Sequence, residues 1–245
     1  MLDCLIPARG GSKGVKNKNI YPVHDVPLIA YTIKSALDCP EIRHVYVSTD
    51  SEQISSIAKS YGACVPFLRP AHLAADSSLD REVFTHFNSF CHENKIDITT
   101  HLVHLRATSP VRNVSVLTNA INFFLDAHIS SQYTSLRSIH NSSHCPFKWF
   151  KIVDNTLVPL FTSENDAFEH FNLPRQHFPP VLIPNGYIDI VPSNVKPRDL
   201  SFHGSKILPF ITESSYDIDT LEQLLKLEES SILLEESLDL KNGLS

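Results

Sequence analysis

Leu2-Asp-Cys-Leu-Ile-Pro-Ala-Arg-Gly-Gly-Ser-Lys-Gly-Val-Lys-Asn-Lys-Asn19 is the stretch on which the fold turns. Leu2 to Pro7 is a short, largely apolar run bounded by a polar loop, the pattern of a buried strand. The loop that follows holds three of the chain's seven glycines, Gly10, Gly11 and Gly14. Glycine lets backbone N–H groups turn toward a phosphate with no Cβ in the way. Arg9, Lys13, Lys16 and Lys18 add positive charge, and no acidic residue falls between Cys4 and His24. A strand running into a loop of this kind reads as a polyphosphate cradle. It is neither the G-x-x-x-x-G-K-[ST] loop nor the G-x-G-x-x-G fingerprint. A solvated surface loop is the plain alternative, and position, glycine density and one-sign charge together weigh against it.

Working outward, Ile29, Ile33, Ala36 and Leu37 recur at helical spacing from Pro27, and Pro40 ends that helix. His44 to Thr49 reads as a second strand. Asp50 or Ser51 caps a helix with Ile54, Ile57 and Ala58 inside and Gly62 as its stop. Ala63 to Phe67 reads as a third strand, Arg81 to Glu93 as a helix, His101 to Arg106 as a strand, and Val116 to Leu125 as a further helix. From about Tyr133 to Pro184 the pattern turns irregular and rich in Pro, His, Ser and Phe. Asn185 to Val191 returns to strand character, Asp219 to Glu229 is a last amphipathic helix, and the final dozen residues are expected to fray. Strands alternating with helices imply an α/β fold, a doubly wound, mainly parallel sheet with ligands at the carboxyl ends of its strands. A single domain over residues 1–245, carrying an insertion at approximately 133–184, accounts for the whole length.

The net charge of −6 argues against a sequence-independent nucleic-acid binder, which needs a basic surface. The apolar stretch before Arg9 is too short for a secretory or membrane segment, so a cytoplasmic protein is expected. Five scattered cysteines without a C-x-x-C spacing fit reduced thiols. The histidines form neither H-E-x-x-H nor a Cys/His finger, and His101 and His104, an odd number apart on one strand, should face opposite sides of it.

The glycine-and-lysine loop resembles the N-terminal signature of acylneuraminate cytidylyltransferases, which make CMP-sialic acid and CMP-activated relatives such as legionaminic acid. The likeness continues in order through Pro27-Leu-Ile-Ala-Tyr31, Val47-Ser-Thr-Asp50, Phe67-Leu-Arg-Pro70, Thr108-Ser-Pro110, His144-Cys-Pro-Phe-Lys148, Pro174-Arg-Gln176, Pro184-Asn-Gly186 and Asp217-Ile-Asp219. The resemblance implies a Rossmann-like nucleotidyltransferase that uses CTP, a nonulosonic acid and Mg²⁺, and works as a homodimer through the insertion. It places Arg9, Lys13 and Lys18, with the loop backbone at Gly10, Gly11 and Ser12, on the CTP phosphates, Lys18 at the α-phosphate. Arg9, Lys18 and Asp217 thereby become the candidate catalytic residues. Asn19 takes the role of a nucleotide contact, or else of a turn residue. Arg69 takes that of the pyrimidine contact, or else of a structural ion pair. Asp217 and Asp219 are the implied Mg²⁺ ligands, although Asp219-x-x-Glu222 also has the form of a helix cap. Lys148 and Arg175 correspond to cations that face the sugar acid, the arginine supplied by the neighbouring subunit.

Two stretches depart from the family pattern. Arg106 stands where a glutamine is usual, and Asn185-Gly-Tyr-Ile-Asp-Ile190 replaces Asn-Gly-Ala-Ile-Tyr-Ile, which puts Asp189 in place of a tyrosine. Arg106, Asn185 and Asp189 are therefore candidate sugar contacts, and a change of charge there points to a modified nonulosonate. A pairing of Arg106 with Asp189 is the structural alternative. Three rival functions stand beside this reading: a nucleotidyltransferase for another 2-keto-3-deoxy acid or nucleotide, a glycosyltransferase using Asp-x-Asp, and a non-catalytic nucleotide-sugar binder.

Overall fold

The computed structural model describes residues 1–11, 14–161, 169–195, 201–213 and 215–242. The glycine-rich loop's Ser12 and Lys13 lie outside the described residues. Strand β1 (Leu2–Pro7) sends Leu2, Cys4 and Ile6 to one face of the sheet and Leu5 to the other, as a strand buried on both faces must. After it come a two-residue hairpin, β2 (Pro22–Val23) with β3 (Val26–Pro27), and then α1 (Leu28–Leu37), β4 (Ile42–Ser48), α2 (Glu52–Ser60), α3 (Asp80–Glu93), β5 (His101–His104) and α4 (Val114–Ser131). The second half comprises β6 (Ser135–Asn141), the hairpin β7 (Phe150–Val153) and β8 (Thr156–Pro159), β9 (Leu182–Pro192), β10 (Ile207–Ile211), α5 (Leu221–Glu229) and α6 (Leu234–Asn242). The main sheet has the order β10-β6-β9-β5-β1-β4, in which β9 alone runs antiparallel to its neighbours. Strand β1 lies between β4 and β5, so the chain reverses its direction of winding there and opens a crevice beyond the end of β1.

Residues from α1, α2, α4 and the sheet build the larger core; Phe84, Phe87 and Cys91 of α3 cover the other face. His101 packs on Phe124 and His128 of α4, whereas His104 packs on Phe84 and Phe202, opposite sides as their spacing requires. Ser51 caps α2 by accepting from the Ile54 amide at 3.3 Å, and Gly62 after the helix has φ +89°.

Three expectations change. Ala63 to Phe67 makes no ladder: only isolated bridges join Cys64 to Tyr46 and Leu68 to Thr49, because Pro66 removes a donor from the run. The segment taken as an irregular insertion from residue 133 begins with β6, a sheet strand between β9 and β10. Buried Ser135 and Ser138 disguise it, and the Ser138 hydroxyl accepts from the Ile188 amide at 3.0 Å. Strand β10 is an edge strand, the place where its Pro209 can be accommodated. The C-terminal residues up to Asn242 form α6 rather than fraying, with Ser237 and Leu240 buried against the α1 side of the molecule.

Candidate active site

The crevice at the end of β1 holds Arg9, Gly14, Lys18 and Asn19 of the loop. A cleft of 310 Å³ there is lined by Arg9, Gly14, Lys18, Asn19, Arg69, His104, Arg106 and Asp219, among others. Lys18 opens a single 3-10 turn after Asn17, which sits in the left-handed region at φ 56°. Its ammonium donates to the Ile218 carbonyl at 2.5 Å and to Asp219 Oδ1 at 3.1 Å. The Arg9 guanidinium meets Asp76 at 2.8 Å, and the Gly10 amide donates to Asp50 Oδ1 at 2.8 Å. The loop's cationic and N–H groups are thus aimed at carboxylate oxygens, the same chemical class as phosphate oxygen. A Cβ on Gly14 would stand 2.3 Å from the Asp219 carbonyl oxygen, so the close approach of the loop to the Asp217-Ile-Asp219 segment needs glycine. Asn19 is buried and donates its amide to the Arg9 carbonyl at 2.9 Å, which ties the two ends of the loop together.

Arg69 leaves the outer edge of the sheet with its amide bonded to the Thr49 carbonyl at 2.7 Å. Its side chain is 5% exposed, and Nε and Nη2 have no hydrogen-bond partner among the described residues. Burial pushes its guanidinium below the ordinary value, partly countered by the nearby Asp50 and Asp80 carboxylates. Among the described residues Arg69 makes no ion pair within 4.0 Å. His104 is fully enclosed at the floor of the same cleft, and burial pushes its imidazole down to about 4, so it is neutral at physiological pH.

A second pocket, of 250 Å³, adjoins the first and is lined by Arg106, Arg137, His140, Asn185, Gly186, Ser215 and Asp217. Arg106 lines both. Asp217 and Asp219 are divided between them: buried Ile218 anchors the segment in the core and donates its amide to the Thr108 carbonyl at 2.8 Å, leaving one carboxylate at each pocket. Asp219 does not cap α5. Thr220 is the N-cap, and Gln223 completes a reciprocal box with it, accepting from the amides of Asp219 and Thr220 at 2.7 and 2.9 Å. The Asn185 amide is spent internally, donating to Thr212 Oγ1 at 2.6 Å and the Glu213 carbonyl at 3.0 Å. Asp189, 3% exposed, meets Arg137 at 3.1 Å and Arg106 only at 3.9 Å, so the anticipated pair is in fact a cluster of three. Lys148 and Arg175 line neither pocket; Arg175 donates to the carbonyls of Ser142 and Ser143 at 2.7 and 2.9 Å.

Sequence reasoning missed Arg137 and Arg112. The first lies on the unrecognised strand β6; the second follows Thr108-Ser-Pro110 by two residues, a position whose isolated charge is the only signal. For a divalent cation, Asp217 and Asp219 offer hard carboxylate oxygens, and no cluster of three or more His, Cys, Asp or Glu occurs among the described residues. That donor set fits a small oxygen-seeking cation that takes its remaining ligands from water and phosphate. No helix among the described residues is long and apolar enough to cross a membrane.

The cytidylyltransferase family model matches residues 4–148. The chain is 32% identical over 220 residues to the post-translational flagellin modification protein B of Campylobacter coli, covering 89% of both. It is 29% identical over 242 residues to the CMP-N,N'-diacetyllegionaminic acid synthase of Legionella pneumophila, covering 94% of this chain and 98% of that one. Against the N-acylneuraminate cytidylyltransferase of Escherichia coli identity is 32% over 218 residues, and the match covers 88% of this chain but 48% of that protein. Among solved structures, CMP:2-keto-3-deoxy-manno-octonic acid synthetase complexed with CTP shares the fold, with a TM-score of 0.67 at 17% identity over 96% of this chain and 98% of that one.

Proposed function

The chain belongs to the cytidylyltransferase family, and we propose that it transfers CMP from CTP to the anomeric hydroxyl of a sialic-acid-like nonulosonate, releasing pyrophosphate. The observation that carries this reading is the shared wall at Arg106: a cationic cleft beside the glycine loop opens into a second pocket of arginine, asparagine and aspartate. A nucleoside triphosphate and a sugar acid can therefore meet at one seam.

In this reaction the anomeric oxygen attacks the α-phosphorus in line, a new P–O bond forms, and the bond to the β-phosphate breaks. Negative charge shifts onto the departing pyrophosphate as it does so. Lys18, held at Asp219 and the Ile218 carbonyl, is placed to neutralise the α-phosphate oxygens. Arg9 and Lys13, with the backbone N–H groups of Gly10, Gly11 and Ser12, take the β- and γ-phosphates. Arg69, buried with donors to spare, gives them to the cytosine carbonyl oxygen. Asn19 keeps the loop in register through the Arg9 carbonyl. Mg²⁺ at Asp217 and Asp219 supplies charge neutralisation on the triphosphate when bound. Asn185 acts by fixing the 212–217 segment, and hence Asp217, rather than by touching the sugar itself.

Residues 133–184 beyond β6 serve as the dimerisation segment of the single domain, with the exposed Ile152 and Leu157 of its hairpin facing a second copy. Arg175 then reaches the sugar pocket of the partner, and Lys148 faces the sugar acid. The free cysteines among the described residues accord with a reducing cytoplasm. Arg106 and Asp189 favour a modified nonulosonate over N-acetylneuraminate.

The test is pyrophosphate release from CTP and Mg²⁺ with N-acetylneuraminic, legionaminic, pseudaminic and deoxyoctulosonic acids. Release with a nonulosonate, reduced roughly 10²- to 10³-fold by Lys18→Ala, is expected. Release with the octulosonate alone would reassign the substrate, and CTP binding without turnover would mark a binder. The highest kcat/KM for N-acetylneuraminate would remove the preference for a modified sugar.

A further inference from the structure

We infer that Arg137, a residue outside the phosphate loop and its motifs, joins Arg106 in receiving the carboxylate of the sugar acid, and that buried Asp189 is the positioning residue that aims the two guanidiniums. The inference rests on the cytidylyltransferase reading above and specifies one end of its substrate.

Sheet register brings the group together. On β9, Asp189 stands opposite Arg137 of β6 and opposite His104 of β5. Cross-strand partners are lateral neighbours on one face, so an anion at the centre is flanked by the side chains of two strands. Arg137 donates to Asp189 through Nε at 3.1 Å and Nη2 at 3.4 Å. A guanidinium carries five N–H donors in a fixed fork, so this edge-on pairing leaves the far edge free for another acceptor. Arg106 stands 3.9 Å from the same carboxylate and 3.6 Å from Asp80. Asp189 is 3% exposed, while the side chains of Arg137 and Arg106 are 30% and 35% exposed. Arg137 is paired with Asp189, Arg106 lies between Asp80 and Asp189, and both guanidiniums also line the pocket.

The chemistry of the substrate locates its acid group. In a 2-keto-3-deoxy sugar acid in its ring form, the carboxylate and the attacking hydroxyl are attached to the same carbon. The carboxylate must therefore lie beside the seam between nucleotide and sugar, within reach of whatever cation occupies that wall. Arg106 lines both sides of the seam and Arg137 the sugar side. Asp217, the one carboxylate lining the sugar pocket among the described residues, is assigned above to the divalent cation, which leaves the arginines to the acid. Arg106 and Asp189 are also two of the positions at which the sequence departs from the pattern it resembles, and Arg137, the ion-pair partner of Asp189, lines the pocket wall with Arg106.

The experiment compares the best sugar acid of the panel with its C1 carboxamide, which keeps the anomeric hydroxyl but removes the charge. Full-length wild type, Arg137→Gln, Asp189→Asn and the double variant are assayed for pyrophosphate release. Wild type should favour the acid by roughly 10- to 100-fold in kcat/KM, the loss expected when a charge-assisted pair is removed. Arg137→Gln should lose most of that preference by lowering kcat/KM for the acid alone, with the KM for CTP unchanged. Asp189→Asn should raise the KM for the acid several-fold with kcat nearly intact. Should Arg137→Gln fail to fold because it strands Asp189, the double variant carries the same criterion with no buried charge left unpaired. Equal losses for acid and carboxamide, or a change confined to CTP, would overturn the inference and leave the parent reading standing. Wild type inactive with every acid would remove the parent reading, and this inference with it.

Discussion

Arg69→Met should move stability and nucleotide affinity in opposite directions. Arg69 is 5% exposed, and Nε and Nη2 have no partner among the described residues, so its burial is a cost that folding bears. An unsatisfied buried donor costs roughly 1–3 kcal/mol. The attraction of Asp50 and Asp80 offsets part of this. Methionine has a similar reach and no donors, and replacing a poorly compensated buried ion by an apolar side chain is commonly neutral or stabilising by about 1 kcal/mol or more. Unliganded Arg69→Met is therefore expected to melt about 2–4 °C higher, the shift that about 1 kcal/mol gives in a domain of this size.

CTP reverses the sign. Loss of a charge-assisted hydrogen bond to the base, roughly 1.5–3 kcal/mol, weakens binding by about 10- to 150-fold. At a CTP concentration one hundred times the wild-type Kd, ligand stabilises wild type by about 2.7 kcal/mol; a 30-fold weaker variant gains about 0.9 kcal/mol. The rise in Tm on adding CTP should shrink from roughly 5–11 °C to about 2–4 °C. Thermal unfolding of both proteins with and without CTP at fixed Mg²⁺ measures both effects. A variant with a lower unliganded Tm and an undiminished CTP shift would refute the reasoning and return Arg69 to a structural role.

Gly14→Ala should lower kcat by about 10²-fold, since relieving its 2.3 Å clash with the Asp219 carbonyl moves the loop by roughly an ångström; Gly11→Ala, with open space around its Cβ, should cost less than about tenfold. Burial beside His128 pushes His101 down to about 4. The unfolded chain therefore takes up a proton that the folded protein refuses, and stability falls by up to about 1.4 kcal/mol per pH unit as pH drops from roughly 6.5 toward 4. In denaturant titrations at pH 7, 6 and 5, His101→Phe should lose about one proton's worth of that slope, and an unchanged slope would count against the burial argument. Leu157→Asp, on a hairpin residue 66% exposed, should leave the stability of the protomer within about 0.5 kcal/mol while light scattering shows dissociation and turnover falls.

The two halves of the site differed in how far the sequence revealed them, and the reason is contact distance along the chain. The cleft proposed for the nucleotide is lined mainly from the end of β1 with the turn after it, and from the end of β5 with residues 106–108; glycine spacing and charge in Ala8–Asn19 pointed to the first of these walls. Arg69 was legible as a cation beside Pro70, but its missing partners appear only in three dimensions. The sugar pocket depends on which strands lie side by side. Strand β6 has polar residues in its buried positions, which erased the apolar signal of a central strand and hid Arg137 with it. Arg106 and Asp189 were noticed as departures, yet the partner that unites them is 52 residues from Asp189 in sequence and adjacent to it through register alone. Asp219 was ambiguous for a local reason: two overlapping box patterns compete at the start of α5, and only the hydrogen bonds of Gln223 decide between them.

Arg112 explains how the two halves act as one site. It is 8% exposed, and each of its hydrogen-bond acceptors is neutral: the carbonyls of Arg106, Ser109, Gly186 and Tyr187, and the Thr32 hydroxyl. Burial pushes its guanidinium down to about 10, which still leaves it charged at neutral pH, with the Asp217 carboxylate contributing a favourable field. A charge enclosed this way is stable only while several dipoles converge on it. Those dipoles belong to the loop that carries Arg106 along the nucleotide cleft and to the turn at Gly186 that lines the sugar pocket. Gly186 itself, at φ +67°, leaves only 2.9 Å between a notional Cβ and the Arg106 side chain, so the two segments are already in contact there. Displacing either segment would strip acceptors from a buried cation, and that cost keeps the wall between the pockets in one position. In-line transfer tolerates little error in distance, so on the proposed reaction a fixed wall at Arg106, which lines both pockets, would hold the two substrates in register.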